Sequence, residues 1–267
     1  MIAKLRALSL ESVDAPLHAR ASAGFAARGK VIGEAISDEL AFYRGSLGLQ
    51  LELELYVLSE ADWRAANPLP YGLSFSTHGV LGMPAKGGVV ADEFLAMEQA
   101  TPQPLRDRIT AMGKRWPEAV DDLVDLIGYH ETGHAFEGAF GIAPPNHWVD
   151  ELVASYFAYA FLKAKRPALA DVWETMAAAD LATHHPEHRS LADFEKLYFG
   201  VGVPNYAWYE QVFFQRVVAI YASQQLAFLE SMKRAFPTGA VAPNEEEMMA
   251  RLERIAPGFR GWASELR

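Results

Sequence analysis

Cysteine is absent from all 267 residues, which excludes disulfides, thiolate metal sites and thiol nucleophiles. Surplus positive charge is absent too. The chain has 24 lysines and arginines against 34 aspartates and glutamates, a formal net charge of −10. Nucleic acid and anionic membranes select for basic surface, so neither is expected as a partner. No stretch approaches the roughly twenty apolar residues of a membrane span. Met1-Ile2-Ala3-Lys4-Leu5-Arg6 lacks the apolar core of a signal peptide. The expected compartment is therefore the cytoplasm. Repeats and low-complexity linkers are also missing, which leaves a chain long enough for a large core. Six tryptophans, ten tyrosines and fifteen phenylalanines suit a well-packed enzyme.

The chemistry is concentrated in two short stretches, His130-Glu131-Thr132-Gly133-His134 and Trp148-Val149-Asp150-Glu151, with sixteen residues between His134 and Glu151. Histidines at i and i+4 lie one turn apart on one side of a helix, so their rings can converge on one ion. Glu131 is then close enough to act on water at the metal without occupying the metal. Glu151 can complete a His2Glu zinc set that leaves one position open, the arrangement of a catalytic rather than a structural site. Asp150 is the rival ligand, but it points about a quarter-turn away and reads as a solvated acid near a helix start. Ser155, one turn beyond Glu151, can hydrogen-bond the outer nitrogen of a ligating histidine.

The flanking pattern supplies the helices. Trp116-Pro117-Glu118 reads as a helix start. Apolar residues then recur at helical spacing to Phe140, where Gly141 and Pro144-Pro145 stop the run. Trp148, Leu152, Ser155, Tyr156, Tyr159 and Leu162 predict a second helix to about Lys163. The short link from Gly141 to His147 makes the pair antiparallel neighbours. Gly133 costs roughly 1 kcal/mol against alanine inside a helix, which points to a close neighbour there.

Elsewhere, residues 17 to 47 keep helical spacing, and Leu51 to Val57 alternate as a half-buried strand. Ser59 opens a short helix. Residues 72 to 76 and 79 to 85 form a second β region. Beyond Lys163 the pattern is helical, with Ser190 capping a helix to about Phe199, a long helix from Asn205 to Phe236, and a final pair over 244 to 266 capped by Asn244. The predicted fold is α+β and predominantly helical. A small mixed or antiparallel sheet packs on the active-site helix pair, followed by a helical C-terminal part. A lobe of residues 1–115 and a zinc-bearing lobe of 116–267 are expected to form one catalytic unit.

HETGH with WVDE resembles the gluzincin branch of the zinc metallopeptidases, thermolysin-like and M1 aminopeptidase-like. WVDELVASYFA is similar to the third-ligand helix of the M1 families, where Trp-x-Asn-Glu-x-x-Ala carries the zinc glutamate. The likeness spans about residues 116 to 163 at motif level. It implies a zincin-like fold, Zn2+ held by His130, His134 and Glu151, Glu131 as general base, and a peptide or protein substrate. It also implies a downstream tyrosine or histidine as donor to the oxyanion. Tyr206 and Tyr209 are the candidates, with His184, His185 and His188 behind them. Such enzymes bind extended substrate along an edge strand, and residues 79 to 84 are the candidate strand. The exopeptidase strand Gly-x-Met-Glu-Asn is missing, with only Leu95 to Gln99 as a superficial echo, so internal cleavage is favoured.

The expected function is therefore zinc-dependent peptide-bond hydrolysis. The alternatives are zinc-assisted hydrolysis of a small amide or ester, and a catalytically silent zinc domain that binds peptide or protein. Nothing in the sequence fixes oligomeric state or side-chain preference.

Overall fold

The computed structural model describes residues 1–198 and 200–266. The N-terminal third alternates short strands with helices: α1 (Ile2–Ala7), β1 (Glu11–Val13), β2 (His18–Ala21), α2 (Ala26–Leu47), β3 (Glu54–Leu58), α3 (Glu60–Ala66), β4 (Phe75–Thr77) and β5 (Val80–Pro84). The strands form one mixed sheet in the order β1-β2-β3-β5-β4. β1 and β4 run antiparallel to their neighbours, while β2, β3 and β5 are parallel. As the parallel pairs require, their strands are joined by helices rather than tight turns. Helix α2 lies against one face of the sheet, with α1 and α3 on the other.

Three readings of this region are corrected. The helical spacing from Leu17 includes β2, whose Ala19 and Ala21 are buried while His18 is exposed. The true helix starts at Ala26, beyond a turn at Gly24. The strand read as half-buried is covered on both faces: Tyr56 of β3 is buried with Leu58, Trp63 and Phe75 beneath α3. The candidate edge strand, β5, is internal, between β3 and β4. Its Gly82 backbone is covered by the Phe75 ring rather than open to substrate, and Pro84 sits at the end of the strand. The edge is β4. It is tied to β5 by a two-residue turn in which His78 and Gly79 both have positive φ, the geometry that matches strand twist.

The helical remainder begins with α4 (Val89–Ala96), which contains Leu95, so Leu95 to Gln99 is no strand, and α5 (Gln103–Ala111). Then come α6 (Trp116–Phe140), α7 (His147–Lys165) and α8 (Pro167–Thr183). Helix α6 has proline in its first turn and a left-handed Gly141 at its end, as the sequence predicts. Helix α7 is capped by Asn146, whose side chain accepts from Val149 N. Every residue from Trp148 to Leu162 except Asp150 is buried, so α7 is a central helix enclosed by α6, α8 and α10.

The last elements are α9 (Leu191–Leu197), α10 (Val203–Gln224), α11 (Ala227–Ala235), α12 (Glu245–Ile255) and α13 (Phe259–Glu265). Ser190 and Asn244 cap α9 and α12 through their side chains, while the predicted end near Phe199 lies outside the described residues. The single helix predicted from Asn205 to Phe236 is two. Gln225 breaks it at φ 46°, and its carbonyl accepts from the Tyr156 hydroxyl at 2.7 Å. One continuous apolar core runs from Val13 to Phe259, drawing on both the sheet region and the helical region. Among the described residues no helix is long and apolar enough to cross a membrane.

Candidate metal centre

Helices α6 and α7 pack against each other more extensively than any other pair. Gly133 is the reason they can. A Cβ there would lie 2.3 Å from the Ala154 carbonyl oxygen, so the crossing point admits no side chain. This close approach sets the ligand geometry. His130 Nε2 lies 3.0 Å from Glu151 Oε2, and His134 Nε2 lies 3.3 Å from the same oxygen. The two imidazoles are nearly perpendicular, with centroids 4.9 Å apart. The donor atoms of all three residues fall within 4.8 Å of one another. Two imidazole nitrogens and one carboxylate oxygen form a donor set suited to a borderline cation such as zinc.

The cluster is held from behind. Ser155 Oγ lies 3.0 Å from His130 Nδ1, the contact its spacing predicts. Asp150 is corrected. Rather than pointing away into solvent, it lies 3.6 Å from His134 Nδ1 and also hydrogen-bonds Glu137. Both outer nitrogens therefore have an oxygen beside them, which fixes ring orientation and leaves the inner nitrogens aimed at the cluster. The second oxygen of Glu151 accepts from two phenols, Tyr198 at 2.6 Å and Tyr206 at 2.8 Å.

The charges respond to this packing. Burial opposes ionisation of Glu151, but the charge of His134 and hydrogen bonds from both histidines outweigh it and hold the carboxyl well below its ordinary range. Burial likewise opposes the His134 cation, yet Glu151 and Asp150 raise its pKa well above that of free imidazole. Glu131 is pushed up to about 7 by burial, against the pull of His134 and His130 and a hydrogen bond from the Ser76 backbone. A carboxyl near neutrality suits a group that must take up and release a proton.

These residues line a cavity of about 650 Å3, bounded by β4 and the loop before it, by α6, α7 and α10, and by the glycine-bearing loop before α10. Its walls are mainly apolar, among them Leu69, Phe94, Leu123, Ile127, Trp173 and Val201.

Of the two candidate tyrosines, Tyr206 lines the cavity and Tyr209 does not. Tyr209 is fully buried on the other side of α10, where its hydroxyl donates to the Ser190 carbonyl at 2.8 Å. Three residues along a helix turn a side chain some 300°, and here that separates cavity from core. The histidine cluster also lies elsewhere. His184 is paired with Asp180 and with Glu93 at 3.0 Å, joining α8 to α4. His185 lines a separate small cavity, and the His188 backbone is held by Asn205. The site residues that sequence reasoning missed are Tyr198, Glu137 and Glu210. Only Glu210 carried a signal, since it stands one helical turn after Tyr206. Burial and the charge of Glu151 hold the Glu210 carboxyl well above its ordinary range, against the pull of His134 and Tyr206. No family model, curated protein or solved structure matches this chain.

Proposed function

We propose that the chain is a zinc-dependent hydrolase of peptide bonds. The observation that carries this reading is the convergence of His130 Nε2, His134 Nε2 and Glu151 Oε2 at the wall of a cavity that Glu131 also lines. Zinc held by these three residues would act as a Lewis acid, acidifying water and polarising a carbonyl.

The remaining roles belong to the chain. Glu131 takes a proton from the attacking water and delivers it to the leaving amine, a transfer that needs a carboxyl poised near neutral pH. The Tyr206 hydroxyl, in its present place a donor to Glu151, is a neutral donor placed to meet an oxyanion formed in the cavity. Strand β4 offers its outer edge for an extended substrate. Ser74 and Ser76 line the cavity, and the Ser76 backbone N–H already faces Glu131. Backbone groups two residues apart point the same way, so this edge can align substrate by strand addition.

The cavity size favours a second reading, hydrolysis of a small amide or ester, because about 650 Å3 is also the scale of a small-molecule pocket. Incubation of the zinc-loaded protein with a diverse peptide library, read by mass spectrometry, separates the two. Peptide cuts made by the native protein and not by Glu131→Gln support the peptidase. A zinc-loaded protein that cuts no peptide but hydrolyses small amides or esters transfers the assignment to the second reading. Cuts that persist in Glu131→Gln remove Glu131 from the mechanism.

A further inference from the structure

Among the described residues four carboxylates line the cavity, Glu131, Asp150, Glu151 and Glu210, and no lysine or arginine does. Three of them are engaged. Glu151 meets two histidines and two tyrosines, Asp150 meets His134 and Glu137, and Glu131 accepts from the Ser76 backbone. Glu210 differs. Its Oε1 is enclosed and has no hydrogen-bond partner. Next to it in sequence, Gln211 is only 7% exposed, also lines the cavity, and its Oε1 likewise lacks a partner. Both unfilled atoms can accept, Glu210 Oε1 once its carboxyl is ionised, so what they lack is a donor.

Charge narrows the kind of donor. A dication at the histidine cluster offsets about two of the cavity's four carboxylate charges and leaves Glu210 without a counter-charge beside it. An unpaired carboxylate in an apolar enclosure is costly, and a cation brought to it is held strongly because little water screens the pair.

We propose that Glu210, with Gln211 beside it, binds an ammonium group of the substrate. This rests on the peptidase reading and extends it to substrates that bear an amine near the bond to be cut. An ammonium supplies three donors and one positive charge, the complement of the two open acceptors. The amine is either the α-amino terminus of a peptide or a lysine side chain. The net charge of −10 would also draw such a substrate in.

The test uses three hexapeptides of alanine and leucine: one with a free amino terminus, one Nα-acetylated, and one Nα-acetylated with a central lysine. Each is titrated calorimetrically into the zinc-loaded Glu131→Gln protein and into Glu131→Gln/Glu210→Gln. At least one amine-bearing peptide should bind about tenfold or more tighter than the neutral one, and that preference should collapse when Glu210 is changed. Which peptide gains identifies the source of the amine. Equal affinities, no binding of any peptide, or a preference that survives Glu210→Gln would overturn the proposal. If the double variant does not fold, Glu131→Gln/Gln211→Leu takes its place and should weaken the same preference, while equal affinities on Glu131→Gln alone still overturn the proposal. Binding is read without turnover, so failure of the peptidase reading shows separately, as lack of zinc uptake or of cleavage by the native protein.

Discussion

Ser155 Oγ stands 3.0 Å from His130 Nδ1, so the helix that delivers Glu151 also orients the first histidine. Helix α7 thus contributes Glu151 to the cluster and, one turn later, the hydroxyl behind it. Ser155→Ala should keep the fold and weaken zinc binding by about 10–100-fold. Competition with a chromophoric chelator measures this, and native-like affinity would reduce Ser155 to a packing residue.

Zinc affinity should rise with pH. The His134 pKa in the metal-free protein lies well above that of free imidazole, so the ring holds a proton that zinc must displace. As pH rises through that pKa there is less proton to displace and binding tightens. Calorimetry in buffers of different ionisation enthalpy should record proton release on binding. Affinity unchanged between about pH 6 and pH 8 would contradict the assignment of His134 as a ligand.

The tyrosines should separate by role. Tyr206→Phe is expected to lower kcat about a hundredfold if its hydroxyl meets the oxyanion. Tyr198→Phe leaves Glu151 Oε1 with one phenol fewer and should show mainly as weaker zinc retention. Tyr209→Phe loses only a hydrogen bond to the Ser190 carbonyl, costing about 1 kcal/mol of stability with kcat preserved. Steady-state kinetics and urea denaturation on the three variants check this ordering.

Gly133→Ala places a methyl group where the Ala154 carbonyl stands, 2.3 Å from the new Cβ. Helices α6 and α7 must move apart, so the variant should lose about 1–3 kcal/mol or more and bind zinc more weakly. Retention of both native stability and native zinc affinity would show that the crossing relaxes at no cost.

Glu39 makes stability depend on pH. It is fully buried on α2, neither carboxyl oxygen has a hydrogen-bond partner, and the nearby Thr132 hydroxyl is committed to the Gly128 carbonyl. Burial holds its pKa well above the 4.5 of the free side chain. The folded state therefore keeps a proton that the unfolded chain releases. The stabilising contribution is complete below about pH 4.5 and is lost as pH rises through the folded pKa. Glu39→Met should be the more stable protein at about pH 8 by about 1–3 kcal/mol, with the gap closing near pH 5. Urea midpoints at the two pH values measure it.

The sequence made the helix pair legible because its signals are local: proline at the start of α6, glycine after its end, and ligands at helical spacing. The sheet was harder to read. β1 and β2 are three and four residues long, and the helical spacing that begins at Leu17 masks β2. Strand order depends on pairing between distant segments, so no local pattern marked β5 as internal and β4 as the edge. Tyr206 and Tyr209 share one position downstream of Glu151 in the sequence, and only the rotation of α10 separates the one that lines the cavity from the one that does not. Tyr198 carried no signal, since only the docking of the chain after α9 brings its hydroxyl to Glu151.

The hydrogen bond from Tyr206 to Glu151 spans 55 residues of chain, and Glu131 meets the backbone of Ser76 from a similar separation. The centre is thus assembled from three stretches that emerge from the ribosome at different times. A growing chain that has produced α6 and α7 still lacks α10, which carries Tyr206 and one wall of the cavity. If the centre is the hydrolase proposed above, it is latent while it is being made, and becomes competent only once its later helices have closed over the earlier ones.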